Sequence, residues 1–133
     1  MRLAVLGLIL LAGCAPDDIA RTSCRSEMLA TADPWACAIT GERIGQASSI
    51  EFDTESRNHV AKVKLALAVT GGTLKVSYRD LSGDRHLTVT PAAPAKLEMQ
   101  TRLHRERRSF TLYFEPIGGS VEGLTGTVAY STP

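Results

Sequence analysis

Val60-Ala61-Lys62-Val63-Lys64-Leu65-Ala66-Leu67-Ala68-Val69-Thr70-Gly71-Gly72-Thr73-Leu74-Lys75-Val76-Ser77-Tyr78 reads as two strands joined by a turn. In an extended chain Val63, Leu65, Leu67 and Val69 fall on one face, with Lys62, Lys64, Ala66 and Ala68 on the other. That period of two is the mark of a strand with one face buried. Beyond the glycines, Leu74, Val76 and Tyr78 resume the apolar face, against Thr73, Lys75, Ser77 and Arg79. Gly71-Gly72 accepts positive φ and is a two-residue hairpin signal. A slip of one residue would turn every large apolar side chain here to water, so the register is well specified.

The same alternation extends outward in both directions. Upstream, Ile50 and Phe52 alternate with Ser49, Glu51 and Asp53, and a polar turn over 53–58 follows. Downstream, Asp80-Leu81-Ser82-Gly83-Asp84 is a turn of the kind Asp and Gly build. Leu87 and Val89 mark a short strand that Pro91 and Pro94 close. Leu97, Met99, Thr101 and Leu103 form the next, and a charged turn over 104–108 follows it. Phe110, Leu112 and Phe114 then alternate with Thr111, Tyr113 and Glu115, Pro116 to Gly119 turns again, and Leu124, Val128 and Tyr130 finish the chain. About seven short strands with no long amphipathic helix between them point to an all-β fold. An amphipathic strand face must be covered, so the expected architecture is an antiparallel β-sandwich, broadly immunoglobulin-like, with a small β-barrel as the alternative.

The first 14 residues have a different character. Arg2 supplies a positive charge, Leu3 to Leu11 form an almost unbroken apolar run, and small residues lead to a cysteine. This is the layout of a secretory signal peptide. The run is shorter than the roughly 20 residues that span a bilayer. Leu11-Ala12-Gly13-Cys14 resembles the lipobox of bacterial lipoproteins at all of its positions. The resemblance implies that Cys14 becomes the first residue of the mature chain, with diacylglycerol on its sulfur and an acyl chain on its nitrogen. A single chain holds a protein to a membrane only marginally, whereas two or three on one cysteine anchor it for good. Ala15 stands where an inner-membrane retention signal would place Asp, so the resemblance favours the outer membrane. The expected layout is a signal peptide over 1–13, a lipidated tether over 14–22 and one β domain over 23–133.

With Cys14 given to lipid, Cys24 and Cys37 remain as a pair in an oxidising compartment, and a disulfide is the natural reading. It would close a loop of about a dozen residues and stabilise by roughly 3 kcal/mol in the chain-entropy model. Ser23 to Ala32 has the composition for a turn or two of helix, ended at Asp33-Pro34. Trp35 reads as a core plug beside the bridge, and Gly41 to Ser49 as loop.

The formal net charge is +1 and includes Arg2, which a signal peptidase would remove. A near-neutral chain argues against nucleic acid as the partner. His59, His86 and His104 each stand alone in sequence, without metal-ligand spacing, and neither Gly-x-Ser-x-Gly nor a phosphate loop is present. The expectation is therefore no enzyme, no cofactor and no metal. The local concentration of charge is Arg102, Arg105, Arg107 and Arg108, with His104 among them. It reads as a solvated turn, or as a contact for an anionic neighbour, since guanidinium groups take phosphate and carboxylate side-on. The leading functional reading is a lipid-anchored envelope protein that binds another envelope protein or a polysaccharide. The alternatives are an exclusion or inhibitor lipoprotein, and a small periplasmic metal-binding protein or enzyme built on the three histidines.

Overall fold

The computed structural model describes residues 19–26, 35–54 and 56–132. Cys14 and the rest of the lipobox lie outside them, as does the stretch 27–34 with Asp33-Pro34. Eight strands follow one another: β1 (Arg21–Ser26), β2 (Trp35–Ile44), β3 (Ser48–Asp53), β4 (Val60–Ala68), β5 (Gly71–Asp80), β6 (Gly83–Val89), β7 (Ala95–Arg102) and β8 (Ser109–Ser131). Every pairing between them is antiparallel. The all-β antiparallel reading holds, and the particular alternations hold with it. Val63, Leu65, Leu67 and Val69 are buried, as are Leu74 and Val76, Ile50 and Phe52, Leu112 and Phe114, and Leu124, Val128 and Tyr130.

β8 organises the rest. Phe110 and Tyr130 are 20 residues apart on it, which would be about 66 Å in a straight strand. Their rings meet at 5.0 Å, edge to face. β8 is therefore folded over on itself near Pro116–Gly119, where Gly118 has φ 76° and Gly119 φ 149°. Its first half pairs with β3 on one side and β5 on the other, and β5 pairs on with β6. Its second half lies between β2 and β4, with β1 and β7 beyond them. The result is two sheets, β3–β8–β5–β6 and β1–β2–β8–β4–β7, hinged along one bent strand with the core between them. Where β7 meets the first sheet, the Thr101 hydroxyl donates to the Arg79 carbonyl at 2.6 Å. The sandwich is thereby nearly closed like a barrel.

Several local expectations are corrected. The strands flanking Gly71-Gly72 form no hairpin: β4 pairs with the second half of β8 and β5 with the first. A glycine pair permits a reversal, but pairing goes to whichever neighbour covers the apolar face, and here that is β8. Thr70 donates its N–H to the Glu122 carbonyl at 2.9 Å as the chain crosses between sheets. The strands expected over Phe110–Phe114 and Leu124–Tyr130 are the two halves of β8. Residues 41–44, read as loop, continue β2 against Val121–Leu124, with Ile44 fully buried behind exposed Glu42 and Arg43. Ser23–Ser26, expected to open a helical turn, lie in β1, because β2 offers them a full row of backbone partners. β1 begins at Arg21, within the stretch read as tether, and Ala20 before it is already buried. Its register sets Cys24 across from Cys37. Cys37 is disulfide-bonded; the Cys24 side chain lies outside the described residues. The turn at Asp80 is as expected: its carboxylate accepts the N–H groups of Ser82 at 2.7 Å and Gly83 at 3.1 Å.

Trp35 is half-buried and stacks on Tyr130 with centroids 5.1 Å apart. Tyr130 is buried, and its hydroxyl donates to the Asp53 carbonyl at 2.9 Å, tying the end of β8 to β3 in the other sheet. Burial, with a smaller contribution from Asp53, pushes the phenol up to about 12. A raised phenol pKa stabilises the fold fully below the ordinary tyrosine range near 10, and that contribution is lost as pH rises from there towards 12. Tyr130→Phe is expected to cost about 1 kcal/mol at neutral pH, the worth of one hydrogen bond. The variant should also lose less stability than the wild type between pH 10 and 12 in urea titrations. Parallel alkaline curves would refute this role.

Candidate functional site

The outward side chains of the first sheet come from every second residue of β3, β8, β5 and β6, and the register lines them up in rows. Ser49 lies opposite Tyr113, Tyr113 opposite Ser77, and Ser77 opposite His86. One row along, Glu115 faces Lys75, and on the other side Arg79 faces Asp84. Tyr113 is thus central on this face, with the small Ser49 and Ser77 on its two flanks. Diagonal cross-strand neighbours come within reach of long side chains, which brings Lys75 and Arg79 to the tyrosine. Tyr113 is 55% exposed, the largest exposure among the big apolar side chains of the described residues. A ring flanked by serines on a strand face has nothing to cover it.

Tyr113 lies in a cleft of about 780 Å³ that runs across this face to the β7–β8 connection. Lys75, Arg79, Arg85, Arg102 and Arg107 line it, with Asp84 as the one carboxylate among the lining residues. Three of the cations are paired. Arg79 Nε meets Asp84 at 2.9 Å, Arg85 Nε meets Asp80 at 3.1 Å and Arg107 Nε meets Glu51 at 2.9 Å. Each carboxylate engages its guanidinium through Nε, so the terminal nitrogens of the fork are not used by that partner. Among the described residues no carboxylate lies within ion-pair distance of Lys75 or Arg102. The hydrogen bond from Arg79 to Asp84, then the charge of Asp84, raise the guanidinium above its ordinary value.

Glu51 is the hinge between this face and the turn. It accepts a short hydrogen bond from the buried Ser109 hydroxyl and one from Arg107 Nε at 2.9 Å. The Ser109 hydrogen bond, with help from Arg107, holds its carboxyl below the usual carboxylate range. A depressed carboxyl stabilises above its unfolded value and loses that contribution as pH falls through the folded one. Glu51→Gln should therefore lower the urea midpoint at pH 7, and the gap to wild type should close on acidification to pH 2. A gap that persists at pH 2 would count against the charge.

The basic turn separates into parts. Arg102 and Arg107 line the cleft together with His104. Arg105 is exposed and is not part of the lining. Arg108 is half-buried with φ 53°, and its guanidinium donates to the Asn58 carbonyl at 3.3 Å and lies 2.6 Å from His59 Nδ1. It holds the end of the β3–β4 connection, so two of the four arginines share the cleft. His104 Nδ1 accepts the N–H groups of Glu106 and Arg107 at 3.2 and 3.1 Å, which builds the turn and leaves the other ring nitrogen to carry the hydrogen. His86 and His104 line the same cleft, whereas His59 sits with Arg108. Among the described residues no group of three or more His, Cys, Asp or Glu is placed to hold a metal ion.

Tyr113 was visible in the sequence as an aromatic on the polar side of its strand, a placement that burial does not explain. Lys75, Ser77, Arg79 and His86 carried no such signal, because only strand pairing brings them to it. A second concavity, of about 690 Å³, lies on the other sheet between Ala66, Ala68, Pro94, Thr125 and Thr127. Its small side chains offer little to orient a ligand, with Lys96 the one charge in its lining.

No protein-family model matches the chain, and no curated protein matches it. Among solved structures it is similar to the PRD1 vertex protein P5, with 9% identity and a TM-score of 0.48 over 85% of this chain and 95% of that one. It is similar to the CBM22-1 xylan-binding domain of Paenibacillus barcinonensis Xyn10C, with 17% identity and a TM-score of 0.40 over 84% and 80%. It also matches CapF, the capsular polysaccharide assembling protein of Staphylococcus aureus, at 9% identity and a TM-score of 0.41 over 76% of this chain. The chain spans about a quarter of the length of CapF, 23% by that match. All three scores are below 0.5, and no ligand is assigned to this chain from them.

Proposed function

We propose that the chain is a lipoprotein of the bacterial envelope, anchored through acyl chains on Cys14, which acts by binding and not by catalysis and whose partner is a polysaccharide. The anchor rests on the Leu11-Ala12-Gly13-Cys14 lipobox, and outer-membrane placement rests on Ala15 after it. The Cys24–Cys37 bridge is supported by the register that opposes the two residues and by the bonded state of Cys37. The observation that carries the binding reading is the cleft over Tyr113. An aromatic ring left open on a flat sheet face, ringed by hydroxyls and long donors, offers an apolar surface with hydrogen-bonding groups around it. That combination fits a sugar ring, which has an apolar face and a polar rim. The site is a shallow face formed by strands, and it suits an extended polymer crossing it.

Two experiments test this reading. Metabolic labelling with a radioactive fatty acid should label the wild-type protein and leave Cys14→Ser unlabelled; equal label in both would remove the anchor. The full chain in detergent should co-sediment with polysaccharide isolated from the envelope of its source cells, and Tyr113→Ala should reduce the bound fraction several-fold. Retention of neither protein would remove the polysaccharide.

A further inference from the structure

The charge of the cleft narrows the ligand class, an inference that rests on the polysaccharide reading and deepens it. We infer that the cleft takes an acidic saccharide, with a sugar ring laid on Tyr113 and its acid group held between Lys75 and Arg79. The placement follows from the register. Ser77 is directly opposite Tyr113, so Lys75 and Arg79, two residues to either side of Ser77 on β5, straddle the ring. Both line the cleft, as does Ser77. Lys75 is half-buried and faces Glu115 across the β5–β8 pairing, but no carboxylate comes within ion-pair distance of it among the described residues, so its ammonium is open to a bound anion. Arg79 is tied to Asp84 through Nε alone, which orients its terminal nitrogens as a fork for a second oxygen pair. Towards the far end, Arg102 and Arg107 line the same cleft and extend the positive strip beyond the first sugar. A repeating acidic polymer would meet successive cations along it, whereas a neutral one would bring no charge to Lys75 and Arg102.

The test titrates the full chain in detergent with three tetrasaccharides of equal length: a tetragalacturonate, a phosphorylated oligomannoside and a neutral xylotetraose. Binding of either acidic probe with weaker binding of the neutral one is the expected result, and the comparison of the two identifies the acid group. Affinity should fall as salt rises. Tyr113→Ala and Lys75→Gln should each weaken the acidic probe about tenfold, and Lys64→Gln, on the outer face of the other sheet, should leave it unchanged. Thermal melts of all three variants show whether they are folded, and Tyr113→Leu, which keeps bulk and loses the flat ring, replaces Tyr113→Ala if that variant is not. Neutral and acidic probes bound alike, with Lys75→Gln without effect, would overturn the acidic preference and leave polysaccharide binding standing. Binding of none of the three, together with no retention on envelope polysaccharide, would overturn both. Acidic binding that survives Tyr113→Ala, Tyr113→Leu and Lys75→Gln would place the ligand elsewhere and overturn the inference.

Discussion

Phe52→Ala is expected to remove roughly 3–5 kcal/mol of stability, the range for emptying a large buried aromatic site. Phe52 is 1% exposed and stacks on Phe110 with centroids 5.0 Å apart. Its edge contact with Tyr130 has centroids at 5.9 Å. Those partners stand on opposite halves of β8, so this one side chain is packed against both sheets where the folded strand brings its ends together. Neighbours cannot close the gap cheaply, because Phe110 and Tyr130 are held by their own strand pairings. A domain of this size has about 5–15 kcal/mol in total, so the loss would be a large part of it. Trp35 is the one tryptophan of the chain and stacks on Tyr130, so its fluorescence reports on this cluster during urea unfolding. Phe52→Leu should cost less than half as much. A loss below about 1 kcal/mol in Phe52→Ala, under the range for a buried aromatic, would mean that the two halves of β8 are held together elsewhere.

Gly72→Ala is expected to cost about 2–4 kcal/mol, from two separate causes. Gly72 has φ 85°, a conformation that costs an alanine about 1–2 kcal/mol. An added Cβ would also stand 2.6 Å from the Ser120 carbonyl oxygen and 2.9 Å from Val121 Cα, both backbone atoms. Crowding of that kind costs about 1–3 kcal/mol, since the strand itself must move. Gly118→Ala separates the causes: Gly118 has φ 76°, close to that of Gly72, and a Cβ there meets nothing within 4 Å. It should show the conformational cost alone. Urea midpoints of the two variants measure the difference, and equal losses would mean that β8 yields at Ser120 without resistance. The position matters because the register between β5 and β8 shifts here, between Gly71–Glu122 and Thr73–Ile117. This is where the chain crosses from one sheet to the other alongside the bend.

The cleft and the core carry different kinds of information. Core positions were legible because burial repeats every second residue, and Val63 to Val69 or Phe110 to Phe114 announce a face without reference to anything distant. The candidate site was legible only in fragments. The basic turn stood out as a run of charge, yet its four arginines divide between the cleft, the solvent and a contact with the Asn58 carbonyl and the His59 ring. Arg108 differs from Arg107 by one position and by a change in the sign of φ, which composition does not reveal. Tyr113 carried a faint signal, an aromatic among Thr111 and Glu115. Its partners Ser49, Ser77 and His86 come from three other strands.

Local alternation was enough to establish that this is an antiparallel β protein, which residues face inward and where most strands stop, because each depends on side chains a few residues apart. The resemblance at Leu11-Ala12-Gly13-Cys14 was equally local. Which strand lies beside which was settled by packing: Gly71-Gly72 could have closed a hairpin, but β8 could cover both flanking strands at once. Only with β8 bent double do Phe110 and Tyr130 touch, and only with β5 beside it does Tyr113 acquire Lys75 and Arg79. Those contacts join residues far apart in the chain, and no pattern within a single strand encodes them.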